Sequence, residues 1–429
     1  MKKNIFTIIG IIAIFACTNV AKANKYVWIH GMNDNRNCWY LYNYDSEIGN
    51  NQDTRVDYTC NDRSISQLSQ DVAQQSNIKN STESVVLIGH SMGGLIAREI
   101  GIKNNLEYAN KVRGIITIGT PHQGALILNN SKNGTLWFLA NKVFDLTYNS
   151  SLATIQAVAS LLGPVGLSIN RVLSYIDLSK PYMNISKSLL LLGGNIYINI
   201  SQGMYNQWGK DMEVNSPYMK QIAQQKVTVP ILTFACEEDR MALPRVAECR
   251  NMTDINYVNS DGKYEERSNS ALDYTRKIKT SSYFASAVTC GIGALTGALV
   301  FTNPGWAYPS IMNFRASVML VGFGWYLDNG MDFDHAVFVG ASHVDEIATN
   351  HKFLWKRWTT YKYVTVPEAH DGVVPVKSQF IDPNATVNSI TPGYTIKGVN
   401  HMEENKHPRT KEEFKVALTT DKYGNTFKR

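Results

Sequence analysis

The stretch Ser84–Ile100, SVVLIGHSMGGLIAREI, decides the fold. Val85 to Ile88 is a continuous β-branched and aliphatic run, the pattern of a strand buried on both faces, whereas Leu95, Ile96 and Ile100 recur at helical spacing. Between them, Gly89-His90-Ser91-Met92-Gly93 has to turn sharply, and its glycines let neighbouring backbones approach. Strand, tight corner and helix in this order predict a serine standing above a sheet. The Met92 N–H and the helix N-terminus would face any oxyanion formed there. Ser91 is therefore the candidate nucleophile, and the rest of the chain should supply a histidine, a carboxylate and a second oxyanion donor.

Upstream, Lys25 to Gly31, KYVWIHG, is an apolar strand that ends in His30-Gly31-Met32. A His-Gly pair suits a backbone that must pass close to a substrate, which makes the Met32 N–H the candidate second donor. Thr54 to Thr59 predicts the next strand, and Ser64 to Ser76, with Ile65, Leu68 and Val72 on one face, predicts the following helix. Downstream, Lys111 to Gly119 is another buried strand, ending in Thr120-Pro121-His122-Gln123-Gly124. Strands and helices alternate throughout this half, which means a parallel sheet with right-handed crossovers. His122 precedes any plausible carboxylate and reads as a structural loop residue.

With 429 residues and 44% apolar content the chain can bury a large core. Met1 to Ala23 reads as a secretory signal, with Lys2 and Lys3, an apolar run from Ile5 to Cys17, and Ala21-Lys22-Ala23 as cleavage site. Secreted or periplasmic localisation follows as the expectation; a lipoprotein anchor at Cys17 is disfavoured by the bulk of Phe15. Loss of Lys2, Lys3 and Lys22 takes the basic count from 42 to 39 against 36 acids, and so small a surplus implies no nucleic-acid partner. In an oxidising compartment the economical pairing is Cys38 with Cys60 and Cys236 with Cys249, leaving Cys290 as a buried thiol.

Two segments break the rhythm. Residues 126–225 and 240–360 read as insertions forming a cap or lid, around a core strand at 226–239, between core halves at 24–125 and 361–429. From Lys279 to Arg315 there is no intervening charge, and Phe284 to Thr302 is apolar. A single crossing of a membrane there would leave Ser91 and His401 on opposite sides, and Ala316 to Leu327 is short for a return, so a mobile lid or acyl-binding helix is the preferred reading. His335, His343, Asp345, Glu346 and His351 follow in a stretch that looks helical, and they read as a solvated face rather than a metal site.

Val227 to Cys236 returns to a buried strand whose end carries Glu237-Glu238-Asp239, so Asp239 is one candidate acid. Glu368-Ala369-His370-Asp371-Gly372 offers Asp371 as the other, on a loop fixed by glycine and Pro375. Tyr394 to Val399 is the last strand, and His401 directly after it completes the order serine, acid, histidine as the candidate base.

HGM after the first strand, GHSMGG, GTPHQG, HDGVVP and NHMEE together resemble the secreted bacterial lipases of the α/β-hydrolase superfamily. The resemblance implies an α/β-hydrolase fold, a mostly parallel central sheet with helices on both faces, and a catalytic triad of Ser91, Asp371 and His401, with Met32 and Met92 at the oxyanion positions. It favours Asp371 over Asp239. It also implies a lipid or ester substrate, transient contact of the cap with a lipid surface, and no organic or redox cofactor. A structural calcium is a further expectation, with Glu403 as its candidate ligand, although the glutamine expected beyond it is missing as far as His407. A short-chain esterase, an acyltransferase or amidase on the same scaffold, and a non-enzymatic binding or membrane-inserting protein are the alternatives.

Overall fold

The computed structural model describes residues 24–32, 34–39, 42, 48, 53–133, 205–238, 246, 270–353, 356–383 and 390–428. The expected signal segment 1–23, residues 134–204 of the expected first insertion, Asp239 and Cys249 lie outside the described residues.

Six strands form one wholly parallel sheet: β1 (Lys25–Ile29), β2 (Thr54–Arg55), β3 (Val85–His90), β4 (Val112–Ile118), β5 (Ile231–Glu237) and β8 (Ile390–Lys397), in the order β2-β1-β3-β4-β5-β8. β3 is buried at every position, as its unbroken apolar run predicts for a central strand covered on both faces. Alternate side chains feed two cores. Val27, Ile29, Val85, Leu87 and Ile115 pack into one; Tyr26, Trp28, Val86, Ile88, Ile116 and Ile118 pack into the other.

The first core is covered by α1 (Ile65–Gln75) and α2 (Met92–Ile102). α1 starts on a capping box in which the Ser64 hydroxyl accepts from the Gln67 N–H and the Gln67 side chain accepts from the Ser64 N–H. Short α3 (Leu126–Lys132) and α4 (Pro217–Gln224) flank the same side and bury Ile127, Leu128, Met219 and Ile222.

Between β5 and β8, in the segment expected to be the second insertion, lie a long helical hairpin, α5 (Ser270–Leu299) and α6 (Ala307–Trp325), then α7 (Met331–Val339). Ser286 meets Ser317, Ser310 meets Gly293, and Tyr283 lies against Gly324, so α5 and α6 run antiparallel along their length. The apolar run of α5 therefore has a return helix, and the topological objection to membrane contact falls away. α7 roots the hairpin in the molecule: Ala336, Phe338 and Val339 join the first core. Residues 342–367, expected to be helical in part, instead form an antiparallel hairpin of β6 (Ser342–Phe353) and β7 (Lys356–Pro367). Cross-strand pairs such as Asn350 with Thr359 and Val344 with Thr365 explain it, since threonine and β-branched residues suit a pleated surface better than a helix.

On the other face, α8 (Pro408–Thr419) brings Phe414 and Leu418 into the second core. The expected disulfides are not formed. Cys38 belongs to the core on one face of the sheet and Cys60 to the core on the other, and both remain thiols, as does buried Cys236. Cys290, expected to be buried, is exposed on α5.

Candidate active site

The corner after β3 is as sharp as the sequence demands. Ser91 sits at φ 53°, ψ −126°, a conformation rare for a side-chain-bearing residue, and its N–H donates to Ile118 O at 2.9 Å. Two glycines make the corner possible through close approach. A Cβ on Gly93 would stand 2.5 Å from the carbonyl oxygens of Ile29 and His30, and one on Gly31 would stand 3.0 Å from Ser91 Cβ. The loop after β1 is thus brought directly against the serine, with Met32 next in the chain and Met92 opening α2.

His30 holds that loop. Its Nδ1 lies 2.8 Å from Gly31 O, and Nε2 accepts from the Tyr58 N–H at 3.3 Å, which fixes the neutral tautomer with the proton on Nδ1. The Tyr58 ring stacks on it at 4.0 Å, its hydroxyl donates to His30 O at 2.6 Å, and burial lowers the pKa of the imidazole. His122 is also structural: it is buried, 2.9 Å from Thr117 Oγ1, and burial holds it well below the usual histidine range.

His401 follows β8 and reaches both other members of the group. Its Nε2 lies 2.9 Å from Ser91 Oγ and its Nδ1 2.8 Å from Asp371 Oδ2. Asp371 is buried completely and clamped: Oδ1 accepts from the N–H groups of Val373 at 2.8 Å and Val374 at 2.7 Å, and Oδ2 accepts from Gln379 Nε2 at 3.0 Å. Gln379 also ties this loop to β5, donating to Cys236 O and accepting from the Cys236 N–H. Between the two acids that the residues alone leave open, the one beside His401 is Asp371.

The structure adds a second carboxylate. Glu404, the last acid of the NHMEE run, is fully buried with Oε2 3.6 Å from His401 Nδ1 and 3.0 Å from Nε2 of buried His90. The first is too long for a hydrogen bond and the second lacks the alignment of one. Burial pushes Glu404 up, but His401 and His90 overcome it and hold the carboxyl down at about 2. Asp371 is pushed up to about 7, chiefly by burial, with Glu404 adding to the rise and His401 opposing it. Burial disfavours charge on His401, yet Asp371 and Glu404 together outweigh it and lift the ring to about 10. Two acids around one imidazole bias this trio toward keeping its proton on the ring.

Among the described residues, the one group of three metal-capable side chains is His90, His401 and Glu404. Calcium takes six to eight oxygens, roughly, so a set with two imidazoles does not fit it. Glu403 belongs to no such group, and no step below passes through a metal. The scattered acids and histidines of the second insertion do not converge either. His335 is buried against His370 at 5.2 Å, whereas His343, 3.2 Å from Asp345, and Glu346 lie exposed along β6, and His351 is half-buried there.

The sequence reading missed three residues of this site: Glu404, His90 and Gln379. Both glutamates of NHMEE were visible, but only their three-dimensional placement separates the one that faces His401.

A parallel sheet in this strand order, a serine at a strained corner after β3 and a histidine on the loop after the last strand define the α/β-hydrolase fold. Residues 31–188 match the PGAP1-like alpha/beta domain. Curated protein sequences give no match. Among solved structures, the mature form of a Bacillus licheniformis lipase is 13% identical and covers 92% of this chain and 91% of its own, with a TM-score of 0.31. A phospholipase from Legionella pneumophila is 12% identical over 52% of this chain and 41% of its own, with a TM-score of 0.29. A Bacillus megaterium epoxide hydrolase bound to an inhibitor is 16% identical over 51% of this chain and 78% of its own, with a TM-score of 0.23. At this distance no substrate transfers from them to this chain.

Proposed function

We propose that this protein is a serine hydrolase of carboxylic esters, acting on lipids through an acyl-enzyme. The observation that carries the reading is the hydrogen-bonded series Ser91 Oγ, His401 Nε2, His401 Nδ1 and Asp371 Oδ2, at 2.9 and 2.8 Å. In the reaction, His401 takes the proton of Ser91 as Oγ attacks the ester carbonyl, and Asp371 holds the ring in the required tautomer. The imidazolium then protonates the leaving alcohol, and water repeats the cycle on the acyl-enzyme. The N–H groups of Met32 and Met92 serve as oxyanion donors, a role typically worth about 3 kcal/mol of barrier per donor. The closeness of Gly31 to Ser91 supports the first and the start of α2 the second.

Lipid substrates are favoured over short soluble esters by the exposed apolar surface of the second insertion, where Phe284, Leu295 and Phe301 face outward. The same reading includes export. A mature chain beginning at Asn24 in the periplasm or medium, detected by intact mass, is the expected product, and a chain retaining Met1 refutes it.

A fluorophosphonate tests the chemistry. Wild type is expected to be labelled and Ser91→Ala not; equal labelling of the two removes Ser91 as nucleophile. Asp371→Asn should lower kcat by about 10⁴-fold with little change in KM. If Asp239→Asn abolishes turnover and Asp371→Asn does not, the acid is misassigned. Nitrophenyl esters of increasing chain length separate a lipase from a short-chain esterase.

A further inference from the structure

The α5–α6 hairpin is built inside out. Small and polar residues recur along its seam: Ser286 bonds Ser317 at 3.0 Å, Ser310 Oγ donates to Gly293 O at 2.9 Å, and Thr289 and Thr296 are buried with their hydroxyls bonded along their own helix, while Met312, Leu320 and Phe323 are the large apolar side chains that α6 buries. Its outer surface carries the large apolar side chains. Phe301 is 95% exposed, Val318 72%, Phe284 72% and Leu295 71%, and Ile311 and Trp325 are exposed beside them. A hairpin that folds in water does the reverse, burying its apolar stripe and wetting its polar one. Helices that meet in lipid pack through small residues and hydroxyls, because the surrounding acyl chains already satisfy the apolar side.

Length and charge fix how such a hairpin would sit. Ser286 opposite Ser317 and Gly293 opposite Ser310 place Arg315 level with Val288. From there to the end of α5 is about 16 Å of helix, close to the ~15 Å of hydrocarbon in one leaflet. Neither arm carries a charge tipward of that level, since residues 280–314 include none. Arg315 is exposed, at the depth where a guanidinium meets lipid phosphates. Rootward of it, Tyr283 lies at headgroup depth, where amphipathic rings concentrate, and the Lys279–Asp328 ion pair at 2.7 Å marks the aqueous end. α7 then enters the core that carries Ser91.

We propose that the tip of the α5–α6 hairpin is embedded in one leaflet of a lipid bilayer, with Arg315 at the phosphate level, so that the enzyme is held on the membrane surface with its site on the side from which the hairpin enters. This goes beyond the hydrolase reading and does not depend on turnover. The test uses the full-length protein with vesicles of phosphatidylcholine and phosphatidylglycerol, with folding checked by circular dichroism. Wild type and Ser91→Ala should float with the vesicles and resist high salt. The triple variant Leu299→Gln, Tyr308→Gln, Ile311→Gln, altered only at exposed positions, should keep its circular dichroism and its rate on a soluble nitrophenyl ester while partition falls at least about tenfold. A fluorophore at Phe301→Cys in a Cys290→Ser background should be quenched more by nitroxides deep in the acyl chains than by headgroup nitroxides. The proposal is overturned if wild type stays in solution, if it forms a lipid-free dimer through the hairpin, if the folded triple variant floats as wild type does, or if the tip label is quenched from the headgroup side. Flotation of a wild type that hydrolyses nothing would instead sink the hydrolase reading alone.

Discussion

Ser91 and His401 meet in a setting with one carboxylate more than a triad needs. Glu404 adds negative charge 3.6 Å from His401 Nδ1, and with Asp371 it lifts the ring to about 10. A base must be neutral to accept the serine proton, so the acid limb of kcat/KM should fall well above the ordinary histidine value near 6.5. Glu404→Gln removes one of the two charges. We expect its limb to move toward lower pH, and a pH profile identical to wild type would show that Glu404 does not act on the ring. The sign for stability follows the same logic. Because the folded pKa of His401 lies above its unfolded value, the stability its protonation contributes is fully present below about 6.5 and is lost as pH rises through about 10. Gln379 presents the complementary case, a neutral side chain that joins β5 to Asp371 through Cys236. Gln379→Leu leaves buried partners unsatisfied and should lower stability by about 1–3 kcal/mol in urea melts. With the acid loosened, kcat should fall more than KM rises; a stability loss with kcat unchanged would make Gln379 purely structural.

At the scale of elements, the first half of the sheet follows its periodicities closely. The helix expected over Ser64–Ser76 is α1, with Ile65, Leu68 and Val72 buried as its spacing requires. Its capping box supplies partners for backbone N–H groups that no helical carbonyl reaches, and Ser64→Ala should cost about 1 kcal/mol of unfolding free energy. A midpoint unchanged in urea would place the start of that helix elsewhere. The second insertion is where local reading failed. Ser342–Phe353 and Lys356–Pro367 are amphipathic on neither period, and the pairing between them, twelve residues on each side, decides for a β-hairpin. In α5 the sequence displayed the absence of charge but not the partner: α6, nineteen residues long, turned the problem of a single crossing into that of a hairpin.

Across the whole molecule, the sheet separates residues that a one-dimensional reading would join. Cys38 and Cys60 close an economical loop in sequence, yet they belong to cores on opposite faces. Denaturation without reductant should therefore expose both to an alkylating reagent, seen as two modified peptides in a mass digest. If either becomes reactive only after reduction, the pairing stands after all. The same sheet gathers Ser91 from the end of β3, Asp371 from beyond β5 and His401 from beyond β8 at one edge, the carboxyl ends of parallel strands.

By itself the sequence determined the corner at Ser91, the parallel strands on either side of it and the order serine, acid, histidine. Each is written in local pattern: a buried strand as an unbroken apolar run, a corner as glycines, a loop as Asp-Gly or Asn-His. Only the tertiary structure decided that Asp371 is the acid on His401, that Glu404 stands behind the ring, that the cysteines stay apart, and that α5 and α6 turn their small residues inward. Those are contacts between residues distant along the chain. Local periodicity reports whether a side chain is buried and cannot report against what.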